Sequence, residues 1–194
     1  SHNQAGKRLL YVGRLSAAKG LPILLESLAA LKSSHPDIIL TVVGDGEDRA
    51  ELEQMTARLE LNDIVKFVGY QSQAEVREYM QETDVFVLPS FAEGVPVSLM
   101  EAMAAGVPVV TTQIAGVSEL VESGVSGYIV PPGDSTTLAE RIKILLTEPQ
   151  RRTQFGAAGR EKVKTEFNLN HEVARLYRVM TAALDGKIES IRPS

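Results

Sequence analysis

The sequence predicts an α/β domain built on a parallel sheet with helices packed on both of its faces. Three observations carry this. Short segments that are apolar at every position, such as Leu9-Leu10-Tyr11-Val12 and Val85-Phe86-Val87-Leu88, recur along the chain. Strands of that kind are covered on both faces rather than one. Each is followed by a stretch whose apolar residues return at helical spacing. Several of the strand segments stop at glycine or proline, as Gly13, Gly44 and Pro89 do, which marks the chain leaving the sheet for a loop. Strands and helices alternating in this way form βαβ units.

The elements follow in order. Residues 8–13 form a strand that ends in a glycine loop. From Gly20 onward Leu21, Leu24, Leu25, Leu28 and Leu31 share one helical face, with Pro22 tolerated in the first turn. Residues 38–43 are the second strand, closed by Gly44-Asp45-Gly46, and 47–59 a charged amphipathic helix. A strand at 64–68, a helix at 73–82 and a strand at 84–88 come next. Residues 96–105 read as a helix, 107–111 as a strand, 117–122 as a short helix and 128–130 as the last strand. Asp134 caps a helix running to Thr147, and further helices are expected at 150–166 and 169–184. The whole is a doubly wound, Rossmann-like fold, which binds ligands beyond the carboxyl ends of its strands. Residues 1–7 read as a linker or tag remnant, 8–184 as the domain and 185–194 as a polar tail.

Composition narrows the function. A chain of 194 residues, 44% hydrophobic and 23% charged, has the balance of a folded domain and not of a disordered one. Its net charge of −5 argues against a partner among nucleic acids. With no cysteine, disulfides, zinc–thiolate sites and thiol catalysis are excluded. His2, His35 and His171 have no metal-ligand spacing and no carboxylate cluster suggests magnesium, so neither a metal nor a cofactor is expected. The sequence has no apolar run of membrane-spanning length and no signal-peptide pattern before the first strand, which reads as cytoplasmic. It opens Ser1-His2-Asn3 without methionine, as a tag remnant or an excised piece of a longer protein would.

Two segments carry chemistry. Gly13-Arg14-Leu15-Ser16-Ala17-Ala18-Lys19-Gly20 places two cations five residues apart in a loop that feeds a helix. An arginine fork and a lysine point charge together suit a diphosphate, although two solvated loop cations would look the same. The second segment runs from Glu93 to Gly106. Pro96 suits a first helical position, which would leave the amides of Val97 and Ser98 free at an anion-binding helix end, and Gly94 allows close backbone approach. Glu93 and Glu101 near such a pocket would repel phosphate unless they bind hydroxyls. The other reading has them complementing the helix dipole.

Glu93 and Glu101, separated by seven residues within EGVPVSLMEAMAAGVPVV, resemble the signature of the retaining glycosyltransferases of family 4, within glycosyltransferase group 1. VGRLSAAKG resembles that family's first loop. The likeness continues in VVGDGEDRAELE, VKFVGY, DVFVLPS, AGVSELVESGVSGYIVPPGD and LAERI, over residues 8–170. The resemblance implies a GT-B architecture, two Rossmann-like domains facing across a cleft, with this chain as the C-terminal, donor-nucleotide half. It implies that Arg14 and Lys19 hold the diphosphate of a nucleotide-diphosphate sugar, with UDP-hexose as the default. Glu101 would bind the ribose, Glu93 a hydroxyl of the transferred sugar, the main chain at Gly94 and Val95 that sugar, and the amides of Val97 and Ser98 the phosphate. Main-chain groups near Tyr70 would edge the base, and Ser90 lies beside the site with little weight placed on it. Arg14, Lys19 and Glu93 are the expected catalytic set, acting on a departing nucleoside diphosphate.

The acceptor, a sugar or a lipid, would be held by an N-terminal domain outside this sequence. The cluster Arg151, Arg152, Arg160, Lys162 and Lys164 reads as a solvated helix face, with peripheral contact to acidic lipid at the inner membrane face as the other reading. The sequence departs from the family pattern at Val95, where an aromatic is frequent, at Ala115, where a second glycine is common, and around Phe167-Asn168-Leu169, which lacks a nearby tryptophan. Two rival functions are a nucleotide-sugar epimerase half and a non-catalytic nucleotide-binding module.

Overall fold

The computed structural model describes residues 6–166; the helix expected at 169–184 and the polar tail lie outside them. The elements run β1 (Arg8–Val12), a 3-10 turn (Ala17–Lys19), α1 (Leu21–Leu31), β2 (Ile39–Val43), α2 (Arg49–Arg58), β3 (Val65–Gly69) and α3 (Gln73–Glu82). They continue with β4 (Val85–Leu88), α4 (Val97–Ala104), β5 (Val109–Thr112), α5 (Val117–Leu120), β6 (Gly127–Val130), α6 (Ser135–Thr147) and α7 (Pro149–Glu166).

All strand pairs are parallel, and the sheet order is β3-β2-β1-β4-β5-β6. The chain therefore builds outward from β1 in one direction, returns through α3, and builds outward from β4 in the other. Between β1 and β4 the order reverses, and a crevice opens there at the carboxyl ends. Right-handed crossovers put α1 and α2 on one face and α3 and α4 on the other. α6 then packs on α1, and α7 on α4, which completes the two helical layers.

The central strands are apolar because both faces are covered: every residue of β4 and β5 is buried. In β3, at the sheet edge, Lys66 is exposed. Asp134 caps α6 as expected, accepting from the Thr137 amide at 2.9 Å. Ser72 and Glu75 close a capping box on α3. The first described residues are tied down, with the Gly6 amide on the Leu146 carbonyl and the Lys7 amide on Asp84.

Some boundaries differ from expectation. α2 starts at Arg49 because Glu47 and Asp48 form a turn. α5 stops at Leu120 because Val121 is extended, with φ −108° and ψ 123°. α4 starts at Val97, one residue late, for a reason that bears on the site.

Candidate functional site

The loops after β1 and β4 meet at the crevice and are joined there by backbone. The Phe91 amide donates to the Ala18 carbonyl at 2.8 Å. Gly20 sits at φ 67°, and a Cβ on it would lie 2.1 Å from the Pro89 carbonyl oxygen. Only glycine permits both that dihedral and that approach. The contact fixes the mouth of the site.

A cleft of about 250 Å³ opens at this junction. Six of the expected binding residues line it: Lys19, Glu93, Val95, Val97, Ser98 and Glu101. Lys19 Nζ donates to Glu93 Oε2 at 2.7 Å, with the two side chains 22% and 7% exposed. The other carboxylate oxygen, Oε1, accepts from Ser90 Oγ at 2.5 Å. Ser90 is itself buried, and its carbonyl accepts from the Thr112 hydroxyl at the end of β5. Tyr11 lies beneath the first loop and donates to the Arg14 carbonyl at 2.8 Å. Burial, and secondarily the charge of Glu93, push its phenol well above the usual tyrosine range.

The start of α4 corrects the expectation for Pro96. That residue is the N-cap, with φ −78° and ψ 70°, and not the first helical residue. These dihedrals make an inverse γ-turn, in which the Val97 amide donates to the Val95 carbonyl at 2.8 Å. The Val97 amide is thus engaged, and the anion-facing donors shift along by one. Among the described residues the amides of Ser98 and Leu99 have no hydrogen-bond partner, while Met100 already bonds back to Pro96.

Glu101, the fifth residue of α4, reaches the same cleft. Burial raises its carboxyl above the ordinary glutamate range, and the nearby Gln73 side chain and Arg77 charge partly oppose this. Both belong to α3, and the sequence reading missed them: they lie on a polar helix face, where no local signal marks them as neighbours of the site.

Other expected residues stand outside the cleft. Arg14 shares its loop but turns away, its Nε and Nη2 donating to Glu47 Oε2 at 3.1 and 2.8 Å, and both partners are solvent-exposed. Tyr70 follows the edge strand β3 at the same end of the sheet, 84% exposed, and does not line the cleft. Gly94 is open, with no atom within 4 Å of a Cβ built there.

A larger groove of about 940 Å³ lies at the opposite end of the sheet, between the starts of β1 and β4 and the helix α7. It holds none of the predicted site residues. The basic cluster of α7 does not form one face either. Arg151 bonds Glu148 and the Tyr128 hydroxyl, Arg152 bonds the carbonyls of Leu145 and Leu146, and Lys162 pairs with Glu166. Among the described residues no group of three or more His, Asp or Glu could hold a metal ion, and no helix is long and apolar enough to cross a membrane.

A doubly wound sheet carrying a lysine, two carboxylates and free helix amides at its switch point places the chain in the Rossmann-like class of α/β domains. Within that class the chain belongs to the glycosyl transferases group 1 family, whose model matches residues 1–162. It is 38% identical over 179 residues to the amylovoran biosynthesis glycosyltransferase AmsK of Erwinia amylovora, spanning 89% of this chain and 44% of that protein. The chain thus covers less than half the length of this curated relative. Among solved structures, Anabaena Alr3699/HepE in complex with UDP-glucose superposes with a TM-score of 0.76 at 30% identity, covering 91% of this chain and 49% of that one. The C-terminal domain of the glycosyl transferase group 1 protein LpcC from Francisella tularensis shares the fold, with a TM-score of 0.77 at 24% identity, over 84% of this chain and 88% of that domain.

Proposed function

We propose that this chain is the C-terminal, donor-binding half of a GT-B, family 4 retaining glycosyltransferase. Its substrate is a nucleotide-diphosphate sugar, with UDP-hexose the first candidate, and the acceptor is a sugar or lipid held by an N-terminal domain outside this chain. The Lys19–Glu93 pair in the switch-point cleft, beside the partnerless amides of Ser98 and Leu99, carries the reading. The UDP-glucose complex of HepE supports it.

The division of labour follows from donor and acceptor counts. An ammonium has three N–H donors. With one given to Glu93, Lys19 keeps two for diphosphate oxygens. A carboxylate has about four lone-pair positions. With one taken by Lys19 and one by Ser90, Glu93 keeps two for hydroxyls of the transferred sugar. Glu101, deeper along α4, binds the ribose hydroxyls. In the reaction the bond from the anomeric carbon to the diphosphate oxygen breaks, one to the acceptor oxygen forms on the same face, and the acceptor hydroxyl proton passes to the departing diphosphate. Lys19 and the α4 amides stabilise the charge left on the nucleoside diphosphate, with Arg14 joining after a rotation away from Glu47. Fixed donors aimed at developing charge are the strongest catalytic device available to such a site. Without the acceptor domain the chain alone transfers no sugar.

A thermal-shift panel of UDP, GDP, ADP, their sugars and the free nucleosides tests the reading. One nucleoside diphosphate should raise the melting temperature in a concentration-dependent way, and its nucleoside much less. A flat response to every nucleotide would contradict it.

A further inference from the structure

The peptide group between Ser90 and Phe91 is held on both sides. Its carbonyl accepts from the Thr112 hydroxyl of β5, and its N–H donates to the Ala18 carbonyl in the loop after β1. Neighbouring Thr111 does the same for the Leu88 carbonyl at 3.0 Å, so the last residues of β5 fasten the chain as it leaves β4. Ser90 projects from this clamped backbone, fully buried, and gives its hydroxyl proton to Glu93 Oε1 at 2.5 Å.

We propose that Ser90 is a positioning residue for sugar recognition: it sets the plane of the Glu93 carboxylate so that the remaining lone pairs face the cleft. The inference rests on the reading of Glu93 as the ligand of a sugar hydroxyl. The terminal torsion of a glutamate is soft and roughly two-fold. A contact to Lys19 alone leaves the second oxygen free to swing, because a lysine is a flexible point charge. Ser90 is short, buried and mounted on a peptide fixed at both ends, and its bond to the second oxygen removes that freedom. A recognition group must be held by neighbours whose own conformations are locked. The Thr112–Ser90–Glu93 chain has that form.

The test uses the 194-residue chain with Ser90→Ala, Ser90→Thr, Glu93→Gln and the double variant Ser90→Ala/Glu93→Gln. Each is titrated by calorimetry with UDP, UDP-glucose, GDP, GDP-mannose, ADP and ADP-glucose, after its melting curve has confirmed folding. One nucleotide sugar should bind more tightly than its bare nucleotide. Ser90→Ala should weaken that sugar nucleotide about tenfold while leaving the bare nucleotide within about twofold, in the range for a hydrogen bond to a charged group. Ser90→Thr, which keeps the hydroxyl, should restore most of the loss. The double variant should be no weaker than Glu93→Gln, because both act on one contact.

Equal losses for nucleotide and nucleotide sugar, or additive losses in the double variant, would overturn the role of Ser90 and leave Glu93 as the sugar ligand. If Glu93→Gln itself left the sugar-dependent affinity intact, the reading beneath the inference would fail with it. Absence of any sugar-dependent affinity in the unaltered chain would count against both.

Discussion

Lys19 and Glu93 are 74 positions apart in the chain and 2.7 Å apart at their charged atoms, so that one ion pair bridges the loops on either side of the sheet's reversal point. The pair is well shielded, and Ser90 holds the other carboxylate oxygen. It links the part of the site suited to phosphate with the part suited to sugar hydroxyls.

Removing the cation leaves a shielded carboxylate with one partner. Lys19→Ala should lower stability by about 2 kcal/mol, within the range for a hydrogen bond to a charge and below that for breaking a fully buried pair. For a chain of this size that is about 4–8 °C in melting temperature. Adding Glu93→Gln to Lys19→Ala should recover part of it, since the uncompensated charge is then gone. Thermal denaturation of the unaltered chain, both single variants and the double variant checks both signs, and additive losses would show the pair to be uncoupled.

Arg14 should behave in the opposite way. Its partner Glu47 is exposed, and exposed pairs contribute little. Arg14→Ala should therefore change stability by less than about 0.5 kcal/mol. It should still weaken the nucleoside diphosphate about tenfold, as loss of a charge-assisted bond does, without affecting the nucleoside. Melting curves beside calorimetry of the two ligands separate these effects.

Two glycines of the site should respond differently to alanine. Gly20→Ala forces a Cβ against the Pro89 carbonyl at a left-handed dihedral. It should cost about 3 kcal/mol, the upper range for backbone strain, and pull the two loops apart. At Gly94 nothing stands within 4 Å of the added atom. Gly94→Ala should leave the melting temperature nearly unchanged and weaken the nucleotide sugar more than the bare nucleotide.

The strands were readable because β1, β4 and β5 are buried on both faces, and burial of that kind writes itself as unbroken apolar runs. The switch point followed from their order. The start of α4 was harder. The Pro96 ring fixes φ near −65° for a helix and a γ-turn alike, and the surroundings set the ψ of 70° that separates them. Side-chain direction is less legible still. Arg14 and Lys19 share a loop, yet one turns to Glu47, 33 positions on, and the other to Glu93. Residues such as Gln73 and Arg77 reach Glu101 only through the crossing of α3 behind the sheet, and Ser90 is held against Glu93 by a peptide clamped between β5 and the loop after β1.

Glu101 sets a dependence on pH. Its carboxyl is raised above the ordinary glutamate value, chiefly by burial. Between those two values the folded chain holds a proton that the unfolded chain has released, so stability falls as pH rises through the window. Above it the buried charge is a standing cost. Glu101→Gln should raise the melting temperature at neutral pH, with the gain fading as pH drops below the ordinary glutamate range, and should weaken nucleotide binding about tenfold by loss of the ribose ligand. Paired melting curves across pH test the first part, and calorimetry the second. A gain that persisted unchanged at acid pH would rule out titration of Glu101 as its source.

The central claim is that donor nucleotide enters the cleft between the loops after β1 and β4. Amide chemical-shift mapping by NMR, with UDP, GDP and ADP titrated into the 15N-labelled chain, tests it most directly. The account predicts that one of them shifts Gly13, Lys19 and Gly20 together with Ser98, Leu99 and Glu101, the partnerless amides moving most. The groove at the other end of the sheet, around Arg8, Asp84 and Arg160, should stay still. Shifts confined to that groove, or no shift with any of the three, would contradict the account.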